Sequence, residues 1–359
     1  MRTVRFPVER PKKLRAVVGG LVLLSVVFLV AGCGKSDPAK LVPIGAGLTG
    51  PSGLRASVYA TGLVHASAFT FDAKGRLWVA VSGSDTHRSD GIYLVARAGA
   101  KPVKVISGPE GPLGLLWYGQ ELMVSSLGRV TIYFSLVGNR FEQQVVILRG
   151  PKGAGENNNL VLAPDGRIVM GISASCDHCT PPTKWSGSIV SFEPNGTDLR
   201  LYASRIRAPF GLTFYPGTSD LLASMNQRDD LGARTPGDWL AYVRPGEDWG
   251  FPACYGQVGA ACAGVPKPIA VLGKHAAAGG VAVLTTQLRG KFDGSALVSE
   301  WNLGKVLRVP LRKTGTTYTG SAVPFLTGFA NPLPVITTAG GAVLIGDWST
   351  GKIYRITAG

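Results

Sequence analysis

Charged residues are scarce in this 359-residue chain: Asp, Glu, Lys and Arg make up 16% of it, against 45% hydrophobic residues. Such a composition can bury a large core and is not that of a disordered polymer. Concentrated charge is lacking too. The formal net charge is +15, yet no five like charges follow one another and aromatic residues do not interleave with the basic ones. Nucleic-acid recognition requires a basic stripe, so no nucleic-acid partner is expected; a diffuse basic surface suits the neighbourhood of anionic lipid or cell wall. Long apolar runs are missing, since Ala16–Val30 is short for a membrane span. Helical periodicity is nearly absent, whereas 49 glycines and 24 prolines fit many tight turns between short strands.

What the N-terminus does contain is an export signal. Six basic residues against Glu9 precede the apolar stretch, which runs into Leu29-Val30-Ala31-Gly32-Cys33. This segment accounts for +5 of the net charge and leaves about +10 for the rest. It resembles a bacterial lipoprotein signal, which implies cleavage after residue 32, lipidation of Cys33 and an extracytoplasmic, membrane-anchored protein. Residues 33–53, polar and Gly-containing, read as a flexible lipidated tether. No twin arginine precedes the apolar run, so a general secretion route is expected.

Cysteine is sparse. With Cys33 set aside, Cys176, Cys179, Cys254 and Cys262 remain, an even number in an oxidising compartment. Cys176–Cys179 and Cys254–Cys262 is the simplest of three connectivities. Cys176-Asp177-His178-Cys179 also has the form of half a zinc site or a redox motif, but no second CxxC exists.

The most informative positive feature is a repeat. Six copies read ASAFTFDAKGRLWVAVSG (Ala66–Gly83), GLLWYGQELMVSS (Gly114–Ser126), NNLVLAPDGRIVMGIS (Asn158–Ser173), FGLTFYPGTSDLLASMN (Phe210–Asn226), GVAVLTTQLRGKFDGSALVSEW (Gly280–Trp301) and PLPVITTAGGAVLIGDW (Pro332–Trp348). Each is a strand, a Gly-bearing turn and a second strand. Each is followed by another β-prone run: GIYLVAR, VTIYFSL, GSIVSFEP, DWLAYVRP, KVLRVPL and KIYRIT. A self-similar, strand-rich unit of this length predicts an all-β fold, a six-bladed β-propeller over residues 54–359.

A propeller's innermost strands line its channel, so the residues just before each first strand mark a candidate site. These are His65, Gly111-Pro112, Glu156-Asn157-Asn158, Arg207, Lys274-His275 and Asn331. Two of four histidines, an acid, asparagines and an arginine thereby occupy matching positions. Each alone has a structural explanation: channel residues are polar because water fills them, and asparagines satisfy loop backbone.

The middle of the chain is more specific. NNNLVLAPDGRIVMGISASCDHC, then LYASRIRAPFGLTFYPGTSDLLASMNQRDDLG, then PGDWLAYVRPGEDWGFPACYG resemble the glucose/sorbosone dehydrogenase family, with a match in order over about Ser52–Thr357. The resemblance implies a six-bladed propeller that oxidises a sugar-like alcohol or aldehyde with pyrroloquinoline quinone (PQQ), calcium nearby. It implies Arg207 as a contact to the quinone's carboxylates, with Lys305 and Arg308 as further candidates. His65, Asn157, Asn331 and Trp301 would meet the substrate, and Asp229, Asp238 and Asp347 would offer oxygen ligands to calcium. The family's catalytic histidine falls near Gly155-Glu156, so Glu156 or His275 would be the proton acceptor. The family's Arg-Asn-Pro is Arg207-Ala208-Pro209 here, and its Asp-Glu-Leu-Asn is Asp238-Trp239-Leu240-Ala241. These departures keep two alternatives open: a non-catalytic propeller binding a glycan or protein, with Trp239, Trp249, Trp301 and Trp348 as stacking surfaces or blade packing, and a calcium-dependent lactone hydrolase.

Overall fold

A computed structural model describes residues 40–83, 89–151 and 153–359. The signal segment and Cys33 lie outside the described residues. Among the described residues six sheets, antiparallel apart from a short parallel strand Glu247–Asp248 added to the third, follow one another along the chain, and their first strands are those of the six repeats. Blade 1 runs Ala66–Phe71, Leu77–Val81, Gly91–Val95, Val103–Ile106, and blade 2 runs Gly114–Tyr118, Glu121–Ser126, Arg129–Val137, Arg140–Arg149. Blade 3 comprises Asn157–Leu162, Ile168–Ile172, Ser188–Phe192 and Arg200–Ser204; blade 4 comprises Ala208–Phe214, Leu221–Asn226, Gly237–Val243 and Ala270–Lys274. Blade 5 holds Ala278–Leu284, Ser295–Glu300, Lys305–Pro310 and Val323–Thr327. Blade 6 holds Pro332–Thr337, Val343–Asp347 and Lys352–Ala358, and takes its outer strand, Leu54–Ala60, from the other end of the domain. That strand pairs antiparallel with Lys352–Ala358 and closes the ring.

The expected tether is partly structure. Val42–Gly45 and Leu48–Gly50 form a hairpin that adds to the edge of blade 5, with Ile44 and Leu48 buried in its core. Two buried apolar side chains in a stretch otherwise rich in Gly and Pro are enough to dock it.

Second strands are buried on both faces because each blade is sandwiched between two others. In blade 1, Leu77, Val79 and Val81 join a core shared with blade 6, and Trp78 and Ala80 join one shared with blade 2. Six such cores lie between the six pairs of neighbouring blades.

Polar stitches run around the inner edge. Ser67 Oγ donates to Pro112 O (2.6 Å), Ser125 Oγ to Asn158 O (2.5 Å), Asn158 Nδ2 to Pro209 O (2.9 Å), Ser224 Oγ to Gly279 O (2.6 Å) and Ser299 Oγ to Leu333 O (2.7 Å). Each satisfies a carbonyl on the neighbouring blade's inner strand or, for Pro112, just before it; in blades 3 to 6 these strands carry a break in ladder register. The inner strands approach so closely that a Cβ at Gly211 would lie 2.3 Å from Gly279 O.

Candidate functional site

Where the inner strands begin, the channel opens into a cavity of about 610 Å³ lined by Ser82, Gly111, Glu156, Phe210, Asn226 and Ala278, with Trp301 and Trp348 forming one wall. Its size is that of an ordinary small-molecule site. Below it the channel narrows to about 40 Å³ between Phe69, Leu113, Phe210, Gly280 and Pro334, so the cavity has a floor.

The aromatic wall is fixed by its backbone. Trp301 and Trp348 meet edge to face at 5.6 Å, and His65 packs 4.0 Å behind Trp348. His65 sits at φ +71°, its N–H donating to Trp348 O and its carbonyl accepting from Ser82 N. Its Nδ1 is buried without a partner. Asn331 does not face the cavity: Nδ2 donates to Trp301 O (3.0 Å) and Oδ1 accepts from Ser349 Oγ (2.6 Å), tying both tryptophan loops together. Trp239 and Trp249, buried 6.0 Å apart in the core between blades 3 and 4, are blade packing rather than stacking surfaces.

Opposite stands Glu156, exposed at the junction of this cavity and a recess of about 420 Å³ that adds Ser173, Cys176, Asp177 and Arg207. At the preceding residue no side chain fits, since a Cβ on Gly155 would lie 2.3 Å from Ser173 O. Asn157 and Asn158 are buried stitches; Asn157 Nδ2 donates to Ser126 O (3.1 Å).

The recess is neutralised from within. Arg207 Nη2 lies 2.5 Å from Asp177 Oδ1 and 3.8 Å from Asp229 Oδ2. Asp177 also accepts from the N–H groups of Asp229 and Asp230, each at 3.0 Å. Asp229 takes His275 Nδ1 at 3.1 Å, and Asp230 takes both Arg228 Nε and Nη2 at 2.6 Å. Hydrogen bonding by Arg228 holds Asp230 well below the usual carboxylate range. The disulfide Cys176–Cys179 closes the turn that presents Asp177, and Cys254–Cys262 forms as expected.

Several predicted roles meet different surroundings. Asp238 is buried, Oδ1 accepting from Gln227 N (2.8 Å) and Oδ2 from Ala278 N (3.0 Å), and desolvation pushes its pKa up to about 6. Asp347 is buried and accepts from the N–H groups of Ala330, Asn331 and Thr350. Their carboxylates clamp the segments that carry the cavity wall, so with Asp229 they make no calcium cage. Among the described residues the one grouping of three acid or imidazole ligand atoms within 4.8 Å is Asp177, His178 and Asp230, and two guanidinium groups already occupy its acids. Lys305 pairs with buried Glu300 (3.1 Å); Arg308 lies over Phe292 and bonds Ser295, away from the cavity. His275 stays at the outer rim with Asp229. Sequence reading missed Phe210 and Asn226, which begin and end the fourth repeat, and the backbone clamping by Asp238 and Asp347, which nothing in the repeat marks.

No family model matches the chain, and no curated protein does. Solved structures do. The PQQ-bound form of aldose sugar dehydrogenase from Streptomyces coelicolor superposes with a TM-score of 0.68 at 17% identity, covering 86% of this chain and 99% of that one. The apo form of the soluble aldose sugar dehydrogenase from Escherichia coli gives 0.65 at 15%, covering 85% and 100%. The PQQ domain of pyranose dehydrogenase from Coprinopsis cinerea gives 0.71 at 15%, covering 88% and 98%. These likenesses establish the six-bladed propeller fold.

Proposed function

We propose that this chain is an extracytoplasmic sugar-recognising propeller, lipid-anchored at Cys33, that takes a sugar-like alcohol or aldehyde into the 610 Å³ cavity. The observation that carries the reading is the pairing of a two-tryptophan wall with Glu156 and Asn226 across a floored cavity where six blades converge. A pyranose offers an apolar face to Trp301 and Trp348 and hydroxyls to polar partners opposite. Asn226 Oδ1, buried without a partner, is a ready acceptor for one of them. Titration of the protein with aldoses, followed by tryptophan fluorescence, tests this: saturable quenching that is lost in Trp301→Ala supports it, and no response to any sugar overturns it.

Oxidation of that sugar is the second reading, favoured by the fold shared with sugar dehydrogenases. Glu156 is the one charged side chain on the described cavity wall and would receive the hydroxyl proton. The charges present do not fit PQQ as the hydride acceptor. A tricarboxylate calls for cations, whereas the wall offers Glu156, and Arg207, the one arginine lining the adjoining recess, is held by Asp177 and Asp229. Oxidation also needs a hydride acceptor that these side chains do not supply, so dye-linked turnover of an aldose that depends on an added quinone would support this reading and show that the ion pairs at Arg207 give way; no turnover with added quinone would overturn it.

A further inference from the structure

The sign of charge around the cavity goes further than the family resemblance does. Trp301, Trp348, Phe210, Leu113 and Leu127 give the wall its apolar area, and Glu156 is its one charged side chain among the described residues. Immediately behind it stand two more carboxylates. Asp238 holds Ala278 N, and Ala278 is part of the wall; Asp347 directly precedes Trp348 and holds Asn331 N. Both acids are buried, and neither forms an ion pair among the described residues; their partners are backbone N–H groups. A low-dielectric wall transmits their field to the cavity more strongly than solvent would. The nearest arginine, Arg207, is paired to Asp177, so the recess adds no free positive charge among the described residues. The basic excess of the domain as a whole is spread over its surface and is screened within about 8 Å at physiological salt.

We propose that the cavity selects a positively charged sugar, an amino sugar whose ammonium group meets Glu156 while its ring lies on Trp301 and Trp348. This rests on the sugar-binding reading above and specifies its substrate class. An ammonium next to aromatic faces also gains from their negative quadrupoles, which a neutral hydroxyl does not. A sugar acid places its carboxylate against Glu156 and is disfavoured by the same field.

The experiment compares glucosamine, N-acetylglucosamine, glucose and glucuronate by calorimetric titration of the purified protein, at a pH where the free amine is protonated. Glucosamine is expected to bind about tenfold more tightly than glucose, the scale of one charge-assisted hydrogen bond. N-acetylglucosamine should fall back to the level of glucose or below, and glucuronate should be weakest. In Glu156→Gln the ratio of glucosamine to glucose affinity should fall to about one, whatever happens to the affinity for glucose itself. Equal binding of glucose and glucosamine, or an advantage that survives in Glu156→Gln, overturns the proposal and leaves the sugar site standing. Silence from all four sugars overturns both.

Discussion

Blades 5, 6 and 1 give the channel mouth rings, Trp301 and Trp348 with His65 behind them, while blades 3 and 4 give it Glu156, Asp177, Arg207 and Asp229. The aromatic half is held from behind by a buried acid on backbone N–H groups, as Asp347 shows. The charged half also has such a clamp, Asp238, but at its rim the acids pair with side chains as well as backbone, and Asp177 and Asp229 there are a quarter to a half exposed. Carboxylates thus do two jobs within one rim. A backbone N–H cannot move away from a buried acid without losing a strand end, so the first arrangement makes a rigid surface. Guanidinium and carboxylate at the surface exchange partners at little cost, so the second makes an adjustable one.

Breaking the rigid half should have the largest effect. Asp347→Ala leaves three N–H groups without an acceptor and should lower unfolding free energy by about 4 kcal/mol, read from denaturant melts. Asp238 should be visible through pH. Folded Asp238 keeps its proton up to about pH 6, whereas an exposed Asp loses it near 3.8. The folded state therefore binds more protons in that window, and stability falls as pH rises through it, on the order of 3 kcal/mol for this residue. The stability difference between wild type and Asp238→Asn should shrink accordingly between about pH 4 and pH 6; a difference that is flat with pH would show that the acid is not desolvated when folded. Next comes Trp348→Ala, which should weaken sugar binding about tenfold while leaving Asp177 and Arg207 paired. The smallest effect belongs to the adjustable half. Asp177→Asn should change stability by about 1 kcal/mol or less and should raise affinity for a small carboxylate such as citrate by freeing Arg207.

The number of blades and their inner three strands were legible because those strands are buried on both faces and repeat with a period the eye can follow. Outer strands were not, since Val103–Ile106 and Arg200–Ser204 are largely exposed and carry no alternation. The ring-closing strand Leu54–Ala60 was invisible as such, because its partner lies at the far end of the chain. At the site, Glu156, Arg207 and Trp301 came together as their positions before or after channel strands implied. Arg308 and Lys305 did not, since their strand is the third of its blade and lies away from the channel. Asp238 and Asp347 looked like ligands because an acid in a strand has no obvious partner in sequence; apart from Thr350, three residues on, the partners are N–H groups 11 to 40 residues away.

The closing pair has a consequence for how the chain is threaded. Gly359 N donates to Gly53 O at 2.8 Å, so the two ends of the propeller lie side by side. A covalent loop of a few residues could join them, and new ends could be cut at the exposed turn Gly138-Asn139 between the outer strands of blade 2. The permuted chain would exchange a hydrogen-bonded seam for a peptide-linked one at blade 6, and the new ends would lie at a turn between outer strands, away from the cavity lining. Where the chain begins is thus a property separable from what the ring encloses.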